Sequence, residues 1–88
     1  MKKHSYKIGR NYFLRTVTHA QTGQLVEVTA GELVIKDAAW IADTGRLTEA
    51  LKTCEFAEVE MFPPGEVIIN RGALIDAVEI KTLPTKQI

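Results

Sequence analysis

The sequence predicts a mainly β protein, a small bent barrel of about five antiparallel strands with one short inserted helix. Three observations point there. Runs rich in Val, Ile, Thr and aromatic residues recur between turns that carry Gly or Pro. The connections between the first three runs are short, so those strands lie side by side as a meander. The spacing of an amphipathic helix stands out at Leu47, Ala50 and Leu51, which fall at i, i+3 and i+4.

Residues 1–10 form a basic N-terminal arm without sustained periodicity, with Tyr6 and Ile8 as its possible anchors. Asn11–Thr18 is the first strand, with Tyr12, Leu14, Thr16 and Thr18 on one face and Phe13, Arg15 and Val17 on the other. Residues 19–23 make a turn. Gln24–Thr29 is the second strand, burying either Leu25 or the Val26/Val28 face. Thr29-Ala30-Gly31 reverses the chain, and Glu32–Ile41 returns as a longer strand. An insertion near 44–54 follows, where Asp43-Thr44-Gly45 offers an N-cap for a helix over Arg46–Thr53. A helix of two turns does not stand alone, so its apolar face needs a surface, and Cys54 and Phe56 continue that patch. Glu58–Met61 alternates as a further strand, and Phe62-Pro63-Pro64-Gly65 ends it. Val67–Ile69 and Leu74–Leu83 are paired strands that complete a domain over 11–83, and 84–88 is a tail expected to fray.

Eighty-eight residues make one small domain with a limited core, for which oligomerisation is a natural source of further apolar contact. A single cysteine, Cys54, excludes an internal disulfide and fits a reducing cytosol. No apolar run approaches the roughly 20 residues of a membrane span, and the N-terminus lacks a signal-peptide core. A cytoplasmic protein without a membrane partner is expected. Net charge is zero but uneven: residues 1–15 hold Lys2, Lys3, Lys7, Arg10 and Arg15 without an acid, and the rest holds six basic against eleven acidic residues. Such an arm either touches phosphates or lies on the acidic surface of its own or a neighbouring subunit.

Enzyme chemistry finds no constellation. His4 and His19 stand apart, without a second ligand at metal spacing. Glu58 and Glu60 alternate on one strand face, the pattern of a solvated edge, and Cys54 has no neighbouring base. No phosphate-cradling glycine loop is present. No enzyme activity, cofactor, metal or small-molecule substrate is expected.

The remaining signal is the bend Asn70-Arg71-Gly72, set between two β-branched arms. Gly72 tolerates a positive φ, which would allow a sharp turn there. Arg71 either makes a surface ion pair beside an ordinary kink or is presented to a ligand. Asn70-Arg71-Gly72-Ala73-Leu74-Ile75-Asp76-Ala77-Val78 resembles the second signature of Sm-like proteins, in which Arg-Gly or Lys-Gly, two variable residues and an Ile follow an apolar strand. Leu33-Val34-Ile35-Lys36-Asp37-Ala38 is similar to the end of the first signature. The resemblance covers roughly Asn11 to Ile80, and extends to the small Sm-like proteins of tailed phages. It implies an SH3-type Sm-like barrel assembled as a homo-oligomeric ring, joined through the last strands. It further implies single-stranded RNA held in pockets between the loop after the second strand and the Arg-Gly bend. Carried over by residue, it assigns Arg71 and Gly72 to that pocket, with Asn70 as an added polar contact. Lys2, Lys3, Lys7 and Arg10 of the arm then face phosphate, and His19 in its turn either stacks a base or is solvated. Trp40, Phe56, Met61 and Phe62 are candidates for the subunit interface as well as for the core. One departure stands out: Glu32 occupies the place of the base-reading Asn, and a carboxylate neither donates to a base edge nor welcomes phosphate. The alternative is a structural or interaction subunit, a phage accessory or virion component that binds no RNA.

Overall fold

The computed structural model describes residues 6–88. Six antiparallel strands form one sheet: β1 Asn11–Thr16, β2 Ala20–Val28, β3 Glu32–Asp43, β4 Glu58–Met61, β5 Glu66–Asn70 and β6 Leu74–Ile80. One helix, α1 over Leu47–Thr53, lies between β3 and β4. The sheet runs β4-β3-β2-β1-β6, with β5 also paired to β3. It is an open sheet, so the closed barrel expected from the sequence does not form within this chain.

The long strand β3 makes this arrangement possible. Asp37 has φ 51°, a left-handed conformation that is uncommon for a side chain with a Cβ. Thr22 stands opposite Ala39 and Gln24 opposite Lys36, so Gly23 alone faces both Asp37 and Ala38. This is a β-bulge, and it reverses the alternation of the strand. Leu33 and Ile35 before it, and Ala38 after it, join one core, while Ala39 and Ile41 join another. The same outer edge of β3 pairs with β5 over Glu32–Lys36 and with β4 over Ala39–Asp43. Gly23 is essential to the joint, because a Cβ built on it would stand 2.7 Å from Ile35 Cδ1 and 2.9 Å from Ile35 Cβ.

Two cores therefore lie on opposite faces of the sheet. The first collects Tyr12, Leu14, Leu25, Leu33, Ile35, Ala38 and Ile69. The second collects Phe13, Ala39, Ile41, Val59 and Ile80 with Ala50 of α1 and Phe56, whose ring stacks on Phe13 at 5.7 Å. The alternation of β1 read from sequence is thus realised, Tyr12 and Leu14 facing one core and Phe13 the other. The helix lies against the second core through Ala50, with Leu51 and Cys54 packed beside it, while Leu47 remains exposed.

Several expected boundaries move. β1 stops at Thr16, and β2 begins at Ala20 instead of Gln24, because the reversal is made by Val17, Thr18 and His19. Thr16 holds that reversal, its N–H donating to the His19 carbonyl at 2.8 Å. Arg46 is the N-cap of α1 without a side-chain bond, and the Asp43 carboxylate accepts from the Gly45 N–H at 2.8 Å. Val67–Ile69 and Leu74–Leu83 do not pair with each other. Their ladders run from β5 to β3 and from β6 to β1, and a 3-10 turn over Arg71–Ala73 carries the chain between them. The C-terminus lies against β4: Ile88 exchanges two 3.2 Å backbone hydrogen bonds with Val59, and Gln87 Oε1 accepts from the Met61 N–H at 2.9 Å. The tail thereby covers the outer edge of β4. Among the described residues no helix is long and apolar enough to cross a membrane.

Candidate nucleic-acid interface

The bend after β5 is held by its own side chains. Asn70 Oδ1 accepts from the Gly72 N–H at 2.8 Å, which caps the 3-10 turn. Gly72 lies within that turn and does not adopt the positive φ expected for it; the positive-φ glycines are Gly9, Gly45 and Gly65. The amide oxygen of Asn70 is thereby engaged with the backbone.

The bend meets the β2–β3 loop. Arg71 N–H donates to the Gly31 carbonyl at 2.9 Å, and its guanidinium Nη1 donates to the Thr29 carbonyl at 2.6 Å. The Arg71 guanidinium carbon stands 5.8 Å from the centre of the Tyr6 ring, a cation–π distance. Tyr6 in turn packs edge-on against Tyr12 at 5.6 Å. An ion pair for Arg71 is thus replaced by a carbonyl and an aromatic face. Asn70 pairs with Glu32 across the strands, which sets the Glu32 carboxylate beside the bend.

Of the arm, residues 6–10 are described, and Lys2 and Lys3 lie outside the described residues. Tyr6 brings the arm to the bend, and Lys7 follows it, exposed, with its N–H donating to Tyr12 Oη at 2.9 Å. A turn at Gly9, φ 89°, then leads the chain alongside β2, where Gly9 N–H bonds the Leu25 carbonyl at 2.8 Å. Arg10 pairs with Glu79 at 3.1 Å. On the opposite face of the β1–β6 ladder Arg15 Nε donates to Asp76 Oδ1 at 2.9 Å. The hydrogen bond from Arg15 holds the Asp76 carboxyl below the ordinary carboxylate range, and the same partner raises the Arg15 guanidinium. These arginines lie on the protein's own acids, one of the two uses a basic arm can have.

His19 does not belong to this site. It follows β1 at the opposite end of the sheet, where its ring lies 5.2 Å from the Trp40 ring, tilted by 56°. Its Nδ1 is 2.6 Å from Thr18 Oγ1, and the residue is exposed in its bend, as a solvated turn histidine is. Trp40, Met61 and Phe62, considered for a subunit interface, line a cavity with it, while Phe56 is buried in the second core.

The structure therefore brings Asn70, Arg71 and Gly72 together with Thr29, Gly31 and Tyr6, pairs Arg10 with Glu79 of β6, and places His19 in the β1–β2 turn beside Trp40. Tyr6 was legible only as an anchor; its place under a guanidinium 65 residues away has no local signal. Comparisons with protein-family models, with curated proteins and with solved structures find no match to this chain.

Proposed function

We propose that copies of this chain assemble edge to edge into a homo-oligomeric ring of the Sm-like type, β5 of one copy pairing with β6 of the next. The ring holds single-stranded RNA at the Arg71 bend and catalyses no reaction. The observation that carries this reading is the pair of open sheet edges. β5 pairs on one side only and bears Ile68, 63% exposed; β6 ends the sheet and bears Ile75, 62% exposed, and Val78. Unpaired strand edges present rows of backbone donors and acceptors, and exposed β-branched residues beside them favour pairing with another chain. A heterologous contact of this kind closes into a ring when the rotation permits.

The RNA contact rests on the meeting of Arg71, Tyr6 and the Thr29–Gly31 loop. An aromatic face beside a guanidinium suits a splayed base, since every base offers a π surface. Base stacking of about 1–3 kcal/mol makes Arg71→Ala weaken oligo-U binding by about tenfold, measured by titration, with the mass of the assembly unchanged. Neutralising Lys2, Lys3 and Lys7 to Gln flattens the salt dependence. Unchanged affinity in Arg71→Ala would remove the RNA role and leave the structural subunit. That second reading has its own support, because Arg10, Arg15 and Arg71 all have partners within the chain and Glu32 flanks the bend.

A further inference from the structure

At the end of the sheet away from Arg71, three neighbouring strands align three side chains on one face. Gln21 of β2 stands opposite Trp40 of β3, and Trp40 stands opposite Glu60 of β4. They form one side of a cavity of about 420 Å³, walled by His19 and by Met61 and Phe62 where the chain leaves β4. That volume lies at the low end for ligand sites and suits a group the size of a side chain.

The chemistry of the wall selects the occupant. Trp40, His19 and Phe62 offer aromatic plates, and the His19 ring is set against Trp40 by its contact with Thr18. Among the described residues neither Lys nor Arg lines the cavity, whereas Glu60 supplies a carboxylate, and Glu58 lies two residues before it on the same strand. Gln21 Oε1 is buried and has no hydrogen-bond partner among the described residues, an unmet demand for an N–H donor. A phosphate or carboxylate would meet Glu60. A cation is welcome, and a planar one with several N–H donors fits best: a guanidinium stacks on aromatic faces and bonds a carboxylate side-on. An ammonium is a compact, strongly hydrated point charge.

We propose that this cavity is a binding site for an arginine side chain presented by a partner polypeptide, with the guanidinium stacked on Trp40 and bonded to Glu60. Gln21 accepts a further N–H once its amide turns toward the ligand. The site shares no residue with the Arg71 bend.

Trp40 is the single tryptophan of the chain, so its fluorescence reports this site alone. The full chain is titrated with a terminally blocked Gly-Arg-Gly peptide and with its citrulline, lysine and uridine monophosphate counterparts. The arginine peptide should give a saturable change with a Kd on the order of 1 mM or tighter. Citrulline, which has nearly the same shape without the charge, should bind at least about tenfold more weakly, and Glu60→Gln should lose the same factor. Equal binding of citrulline or lysine peptides, or saturation by the nucleotide without a response to arginine, would overturn the assignment. So would the absence of a saturable change with the arginine peptide.

Discussion

The two ends of the sheet differ in how their polar groups are satisfied. At the bend after β5, the charged residue that the sequence makes conspicuous is already engaged. Arg71 bonds the Thr29 and Gly31 carbonyls, and Asn70 caps the turn that carries it. At the Trp40 end the conspicuous residues are aromatic, and the amide oxygen of Gln21 beneath them lacks a partner among the described residues. A charge visible in sequence marks a place where a partner is required, and the fold itself can supply one. An unpartnered polar atom beside a cavity marks a requirement that the fold leaves open.

Three substitutions break or sharpen this contrast. The largest effect falls on what joins the two ends. Gly23→Val forces side-chain atoms into Ile35, where even a Cβ would stand under 3 Å. Overpacking costs typically about 1–3 kcal/mol, and the valine should reach or exceed that range in denaturant unfolding, with both ends losing their ligand responses together. A loss confined to one end would show that the halves of β3 fold independently.

A smaller effect separates two kinds of orphaned oxygen. Thr22 follows Gln21 but points to the opposite face, fully buried between Phe13 and Ala39, and its hydroxyl also lacks a partner among the described residues. That hydroxyl is sealed from solvent, so Thr22→Val should be neutral or raise stability by up to about 1 kcal/mol and leave the Trp40 response to the arginine peptide untouched. A clear destabilisation would mean that the hydroxyl is bonded after all.

The smallest effect concerns the arginines spent on the protein's own acids. Asp76 is lowered by Arg15, so its contribution to stability is present above the ordinary carboxylate value, about 4, and is lost as pH falls through its lower folded value. Unfolding followed below about pH 4 should show a slightly steeper loss in the parent than in Asp76→Asn, and the difference should shrink with added salt, as exposed pairs do. Identical pH profiles would assign the pair no role.

Much of this arrangement is legible in the sequence. The alternation of Asn11–Thr16 assigns Phe13 and Leu14 to opposite faces, and the i, i+3, i+4 spacing locates α1 and its buried Ala50. What is not legible depends on one residue. The left-handed Asp37 shifts the parity of β3, and nothing in Lys36-Asp37-Ala38 announces it. From that bulge follow the separate pairing of β5 and β4 along β3 and the alignment of Trp40 with Gln21 and Glu60. Similarly, Asn70 and Arg71 have the composition of a ligand-reading bend, and only tertiary contacts with Thr29 and Gly31 reveal their internal partners.

The central claim is that the open edges of β5 and β6 pair between copies. Native mass spectrometry of the full chain, with and without a short oligo-U, tests it most directly. The account predicts a single closed multiple of the 9.8 kDa subunit, with the RNA adding its mass to the intact assembly. A bare 9.8 kDa species at micromolar concentration would contradict it.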